Sequence, residues 1–274
     1  MITIKRFLET IKSLLTTPVA LGILAALYAL LLATLYLFIR VREATVWQVT
    51  LTLFLLVLIP FEFFVLQSAI LQRARLEKFS WVPMMRDAIK LAVITIPIIV
   101  LGYLLYYLLN KWQAHYPPPE PLMTISGPAT QPLHWPTLLF ATLKCFLLGI
   151  ALPLATIHLW IEIAGRDLRA AFGNGIVKRF GNAFARAFAF DSVLTYVLGL
   201  IVFFLVPYAI LFFPFQIKGN KTDFAVFVLG LVLVYIFTLV GWIVTLTALA
   251  RARGEASAAV SVSTVVDNPA EATA

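Results

Sequence analysis

Residues 46–71 read VWQVTLTLFLLVLIPFEFFVLQSAIL, an apolar run interrupted by a single charge, Glu62. A helix that crosses a bilayer needs roughly 20 such residues in succession. Working outward, five further runs of this kind occupy residues 18–39, 89–109, 136–161, 191–215 and 223–250. Together they predict an all-α fold: a polytopic transmembrane helical bundle of six spans in three hairpins.

Composition agrees. Of 274 residues, 62% are apolar and 12% charged, against about 45–50% and 25% in a soluble domain. This excludes a soluble enzyme, a disordered tail protein and a secreted disulfide scaffold. Cys145 is the one cysteine, so neither an intramolecular disulfide nor a thiolate metal site can form. The first apolar run follows Lys5, Arg6 and Lys12 but is too long for a signal h-region, and no small-x-small cleavage site precedes Arg40. It reads as a retained span.

The net charge is +8, from 21 basic and 13 acidic residues. The basic residues sit in short segments between apolar runs, where anionic headgroups and not nucleic acid are the nearer partner. Three sit before the first span, and five fall in each of the groups Arg73–Lys90 and Arg166–Arg186. Arg251 and Arg253 complete that side. Arg40, Arg42, Lys111, Lys218 and Lys221 fall on the other, and Lys144 lies within a span. The side richer in Lys and Arg faces the cytoplasm, so both termini are expected there, in a bacterial inner (plasma) membrane. Trp112 and Trp135 flank a Pro-rich outer loop, Trp47 opens the second span, and Trp81 and Trp160 stand near the inner interface.

Three times a basic amphipathic stretch leads into a span. Residues 1–17 form an interfacial helix with Ile4, Phe7, Leu8, Ile11 and Leu15 on one face. Before the third span, Trp81, Met84, Met85 and Ala88 oppose Arg86, Asp87 and Lys90. Before the fifth, Ile176, Phe180, Phe184 and Phe188 oppose Lys178, Arg179 and Arg186. Such helices lie on the membrane with their apolar face among acyl chains, which makes Lys5, Arg6, Lys12, Arg86, Lys90, Lys178, Arg179 and Arg186 the expected headgroup contacts. Gly173-Asn174-Gly175 and Gly181-Asn182 should bend the third stretch, and the small residues Gly22, Ala25, Ala29 and Ala33 should pack the first span closely. Residues 18–250 form the transmembrane domain, and residues 251–274, poor in large apolar groups, a disordered cytoplasmic tail.

The segments Phe79–Leu109 and Arg166–Phe215, each a basic amphipathic lead feeding a Leu/Ile/Val/Phe-rich span, carry a family likeness. The chain resembles bacterial six-span membrane proteins grouped with the membrane domain of glycerophosphodiester phosphodiesterase and its uncharacterised relatives. The resemblance implies six spans. Because that family's soluble phosphodiesterase domain has no counterpart in this sequence, it implies no hydrolase activity.

Four intramembrane polar residues are candidates for chemistry. Glu62 is a carboxylate where charge costs about 2.5–3.5 kcal/mol on insertion scales. It is either a relay or substrate anchor, or a hydrogen-bonded lock between helices, and is expected to face the third or fourth span. His158 and Glu162, four apart, share a helix face and form half of a divalent metal site or, alternatively, an interfacial hydrogen-bonding pair. Lys144 lies toward the outer end of the fourth span, within snorkelling reach of water. No P-loop, dinucleotide fingerprint, nucleophile-base-acid set or metal quartet occurs. The reading is a non-enzymatic scaffold that meets lipid and a protein partner, with no cofactor. A transporter or permease subunit with Glu62 in its path and helix breaks at Pro153, Pro207 and Pro214 is the alternative.

Overall fold

A computed structural model of the chain describes residues 2–41, 45–75, 79–117, 134–167, 173, 175–212 and 220–267. Among these residues all regular structure is helical, and six helices are long and apolar enough to cross a membrane. The spans are Pro18–Arg40, Val46–Ala74, Trp81–Gln113, Trp135–Ile163, Phe190–Phe212 and a last one whose apolar part is Asp223–Gly254. The protein is an integral, multi-pass membrane protein. Consecutive spans form three antiparallel hairpins, and the sixth span also packs on the second.

Local chemistry explains where spans begin. Pro18 occupies the first turn of the first span, where no N–H partner is needed. The second starts with a capping box: Thr45 Oγ1 accepts from Gln48 N–H, and Gln48 Oε1 accepts from Thr45 N–H at 3.0 Å. The fourth and fifth spans each widen into a π turn, Leu147–Ala151 and Ile201–Leu205. Each stands just before a proline, Pro153 or Pro207. A proline ring presses on the carbonyl four residues earlier and offers no N–H to it; here those carbonyls, of Gly149 and Phe203, lie inside the π turns. The wider turn absorbs the clash without a break in the helix, and Tyr196 OH reaches Gly149 O at 3.4 Å to satisfy the released acceptor.

The buried core is concentrated at one end. Val65–Leu71, Met84–Ile98, Leu154–Ala164 and Leu239–Leu249 supply most of it, and all lie in the span halves nearest the basic segments. Toward the opposite end Leu35, Leu53, Val100, Leu139, Phe204 and Phe227 are exposed, surface that in a bilayer belongs to lipid or to another protein. The hairpins are thus joined mainly through their basic ends.

Several elements differ from expectation. The basic stretch before the third span is no separate interfacial helix; Trp81–Gln113 is one continuous helix, because nothing between Ala88 and Ile89 breaks it. The N-terminal helix, Ile2–Leu15, docks on the bundle: Thr3, Phe7, Thr10 and Leu14 are buried, whereas Ile4 and Leu8 stay exposed. Thr3 Oγ1 donates to Asp191 Oδ1 at 2.9 Å, tying this helix to the start of the fifth span. Gly181 and Asn182 sit inside the helix Ile176–Ala187, whereas Gly173 lies in a bend and Gly175, whose φ is +104°, leads into the helix. The sixth helix runs on to Asp267, so the segment expected as a disordered tail is helical up to that residue, no proline intervening before Pro269. Pro214 and the Pro-rich stretch 118–133 lie outside the described residues.

Of the small-residue stripe on the first span, Ala25 packs against the core and its carbonyl accepts from Tyr235 OH at 2.5 Å. Gly22, Ala29 and Ala33 are exposed. A Cβ added at Gly199 would meet the Thr245 side chain, and one at Gly241 would lie 2.8 Å from Phe203 N. The fifth and sixth spans therefore touch backbone to backbone at the second π turn, the geometry small residues permit.

Candidate functional site at the basic end

The end of the fourth span organises this region. A helix terminus leaves its last carbonyls without partners and carries partial negative charge. Ala164 closes the helix and Gly165 follows at φ +78°, the left-handed position that glycine favours. Three side chains from neighbouring spans meet the exposed groups. Arg75 donates to Ile161 O (3.3 Å) and Ala164 O, Lys90 Nζ donates to Arg166 O at 2.6 Å, and Asp87 Oδ2 accepts from Gly165 N–H at 3.0 Å.

Asp87 and Lys90 also pair with each other at 2.5 Å, with side chains 3% and 0% exposed. Such a buried pair is tolerated because both partners hold further hydrogen bonds. The expectation that Lys90 contacts headgroups is therefore corrected: one turn before it stands Asp87, on the same face, and both turn inward against the fourth span. Arg86 is half-exposed and lies 3.7 Å from Asp167. Trp160, expected as an interface anchor, is buried and donates its indole N–H to Thr95 Oγ1 at 2.9 Å.

His158 and Glu162 do share a helix face, but arginines surround the carboxylate. Arg253 lies 2.8 Å from Glu162 Oε2, and Arg179 and Arg166 lie 3.9 and 4.0 Å from Oε1. Arg253 also donates to His158 O at 3.2 Å, and His158 Nε2 hydrogen-bonds with Ser192 Oγ at 3.1 Å. Two buried atoms here, His158 Nδ1 and Arg186 Nη1, have no hydrogen-bond partner. Among the described residues no three His, Cys, Asp or Glu side chains converge. Cationic guanidinium groups against Glu162 oppose a metal ion, so the geometry fits an ion-pair network and not half of a metal site.

Beside this network, a cavity of about 520 Å³ opens between the ends of the second, fourth and sixth spans. Leu71, Ala74, Ile161 and Ala250 form its apolar wall, and Arg75, Arg251 and Arg253 its charged one. Arg251 donates to Ser13 Oγ at 2.9 Å, and Arg73 to Ser13 O at 3.3 Å and Thr17 Oγ1 at 2.6 Å. The link after the N-terminal helix is thereby fastened to two spans.

Glu62 is far from this end. It is half-buried, and Thr34 Oγ1 of the first span donates to its Oε2 at 2.5 Å. The expectation that it faces the third or fourth span is corrected: its partner is the hairpin neighbour that already lies alongside it. At the opposite end Lys144 Nζ donates to Asn110 Oδ1 (2.5 Å) and Gln113 Oε1 (2.6 Å) and stands 5.8 Å from the centre of the Tyr106 ring. An apolar groove of about 830 Å³ beside it is lined by Trp112, Tyr116, Trp135 and Phe140, among others.

No family model, curated protein or solved structure matches the chain. Its reading rests on its own geometry.

Of the expected headgroup contacts, Lys5, Lys12 and Lys178 are exposed, with Lys5 3.9 Å from Glu9. Arg6 is half-buried, Arg179 turns toward Glu162, and Arg186 buries one nitrogen. Sequence reasoning missed Asp87, Arg75, Arg251 and Arg253 as site residues. The signal for the first was Asp87-x-x-Lys90, an opposite-charge pair at helical spacing; the arginines carried none beyond their side of the membrane.

Proposed function

We propose that the protein is a non-enzymatic, membrane-embedded scaffold that meets lipid and a protein partner, seated in the plasma membrane with both termini cytoplasmic. The observation that carries this reading is Glu62. It is satisfied by Thr34, and neither the cavity at the basic end nor the groove at the other includes it. A carboxylate that relays protons or anchors a solute needs water beside it; without water it holds its proton or a partner. The other intramembrane polar groups likewise tie helix to helix, and the exposed apolar surface toward the far end suits contact with acyl chains or a partner's helices. The exposed cations Lys5, Lys12 and Lys178 suit anionic headgroups.

Reconstitution into vesicles with a pH-sensitive dye inside tests this. The scaffold reading expects no proton or solute flux above that of empty vesicles. Flux that disappears in Glu62→Gln would overturn it in favour of transport. That second reading has one observation of its own: the π turns before Pro153 and Pro207 are local register defects of the kind found at functional sites and hinges.

A further inference from the structure

We propose that the cavity lined by Arg75, Arg251 and Arg253 binds a phosphate group, and that the phosphate is the headgroup of an anionic lipid. The cavity is strongly cationic. Three arginines line one space, and Arg73 shares Ser13 with Arg251. Glu162 is one carboxylate at this cluster and already serves Arg253, Arg179 and Arg166, and Arg75 and Arg179 hold further partners besides, so the charge left for a ligand is that of Arg251 and Arg253. Like charges confined at a membrane surface repel, and a bound anion removes the repulsion.

The arginines are also preorganised. Each guanidinium is held from behind: Arg75 by the carbonyls of Ile161 and Ala164, Arg253 by His158 O and Glu162, Arg251 by Ser13 Oγ. A guanidinium has five donors in a rigid fork matched to phosphate oxygens. Arg251 uses one nitrogen on Ser13 and Arg253 two on its partners, so both keep N–H groups for a ligand. Holding the forks in place lowers the entropy lost when an anion binds.

The apolar wall favours a lipid over a free phosphate. The cavity lies at the membrane-side ends of three spans, and half of its wall is Leu71, Ala74, Ile161 and Ala250. A free phosphate ester gains nothing from that wall, whereas the glycerol and first acyl carbons of a lipid are buried by it. Basic pockets between transmembrane helices on the cytoplasmic side are known headgroup sites, each Lys or Arg contributing about 1 kcal/mol. The site is independent of whether the protein is a scaffold or a transporter, so a failure of either proposal leaves the other standing.

The test uses the purified full chain in a neutral detergent, with lipid retention read by native mass spectrometry. Phosphatidylglycerol is titrated against phosphatidylcholine, and glycerol phosphate and inorganic pyrophosphate are added as competitors. The expected result is preferential retention of phosphatidylglycerol, reduced about fivefold by Arg251→Gln and largely restored in Arg251→Lys. Lys111→Gln, at the far end, should leave retention unchanged. Ala250→Phe fills the cavity without touching a charge and should also lower retention, which covers the case of an unstable arginine variant. Equal retention of both lipids by the wild-type chain overturns the proposal. Displacement by glycerol phosphate at equal concentration overturns its lipid half.

Discussion

Lys90 has a 0% exposed side chain and sits 2.5 Å from Asp87, so its charge depends wholly on neighbours. Lys90→Met leaves Asp87 buried without its cation and should destabilise the protein by about 3–5 kcal/mol. Replacing both, Asp87→Asn with Lys90→Met, should recover much of that loss, because no bare charge remains. Thermal unfolding in detergent measures both; a single variant as stable as wild type would refute the clamp at the end of the fourth span. Glu62 predicts the contrary scale. Its partner among the described residues is a hydroxyl, and polar contacts between membrane helices average about 0.6 kcal/mol. Glu62→Gln, which can still accept from Thr34, should shift unfolding hardly at all, and Thr34→Val should cost no more than that average. A loss of several kcal/mol in either would mean that Glu62 holds more than Thr34.

Helices meet where the backbone allows, and glycine position decides this for the fifth and sixth spans. Gly241→Ala places a Cβ 2.8 Å from Phe203 N, an atom that cannot swing aside. The spans must separate or bend, at a cost of about 1–3 kcal/mol. Gly22→Ala meets nothing within 4 Å and should be neutral or slightly stabilising, since alanine is the better helix former. Unfolding of the pair, run side by side, checks the claim; equal effects would contradict it. These glycines look alike in the sequence. The stripe Gly22, Ala25, Ala29, Ala33 was the more regular pattern, yet the first span turns Leu24, Tyr28 and Leu31 toward its neighbours, because large apolar side chains bury more surface than small ones.

Across the whole molecule the basic ends converge. Arg73, Arg75, Lys90, Arg251 and Arg253 each reach an element other than their own. This gathers on one side the residues whose excess predicts a cytoplasmic location. Reporter fusions after Asn110 and after Arg253 should therefore register opposite compartments, the second cytoplasmic; matching signals would refute the three crossings between the two sites, and an outside signal after Arg253 would refute the orientation. The same convergence places the lipid-exposed apolar surface at the other end, where Trp112 and Trp135 stand 59% and 72% exposed, in keeping with aromatic residues at a membrane border.

What the sequence determined by itself is the class of solvent and the path of the chain. Twenty or so apolar residues cannot be left in water, and a backbone in lipid must satisfy its own hydrogen bonds, so each long run becomes a helix whatever its neighbours do. Span number and the hairpin order follow from that local rule. Tertiary structure decided which polar side chains meet. Charge reads the same in the sequence whether it faces a headgroup, as Lys178 can, or lies buried beside Asp87, as Lys90 does. The difference is set by the end of the fourth span, whose unpaired carbonyls and N–H recruited Arg75, Lys90 and Asp87 from two other helices. Likewise Glu62 found Thr34 and Glu162 found Arg253, pairings between residues 28 and 91 positions apart that no local periodicity encodes. A helix can be read from its own residues; a cavity lined by three arginines exists only once three helix ends have been brought together.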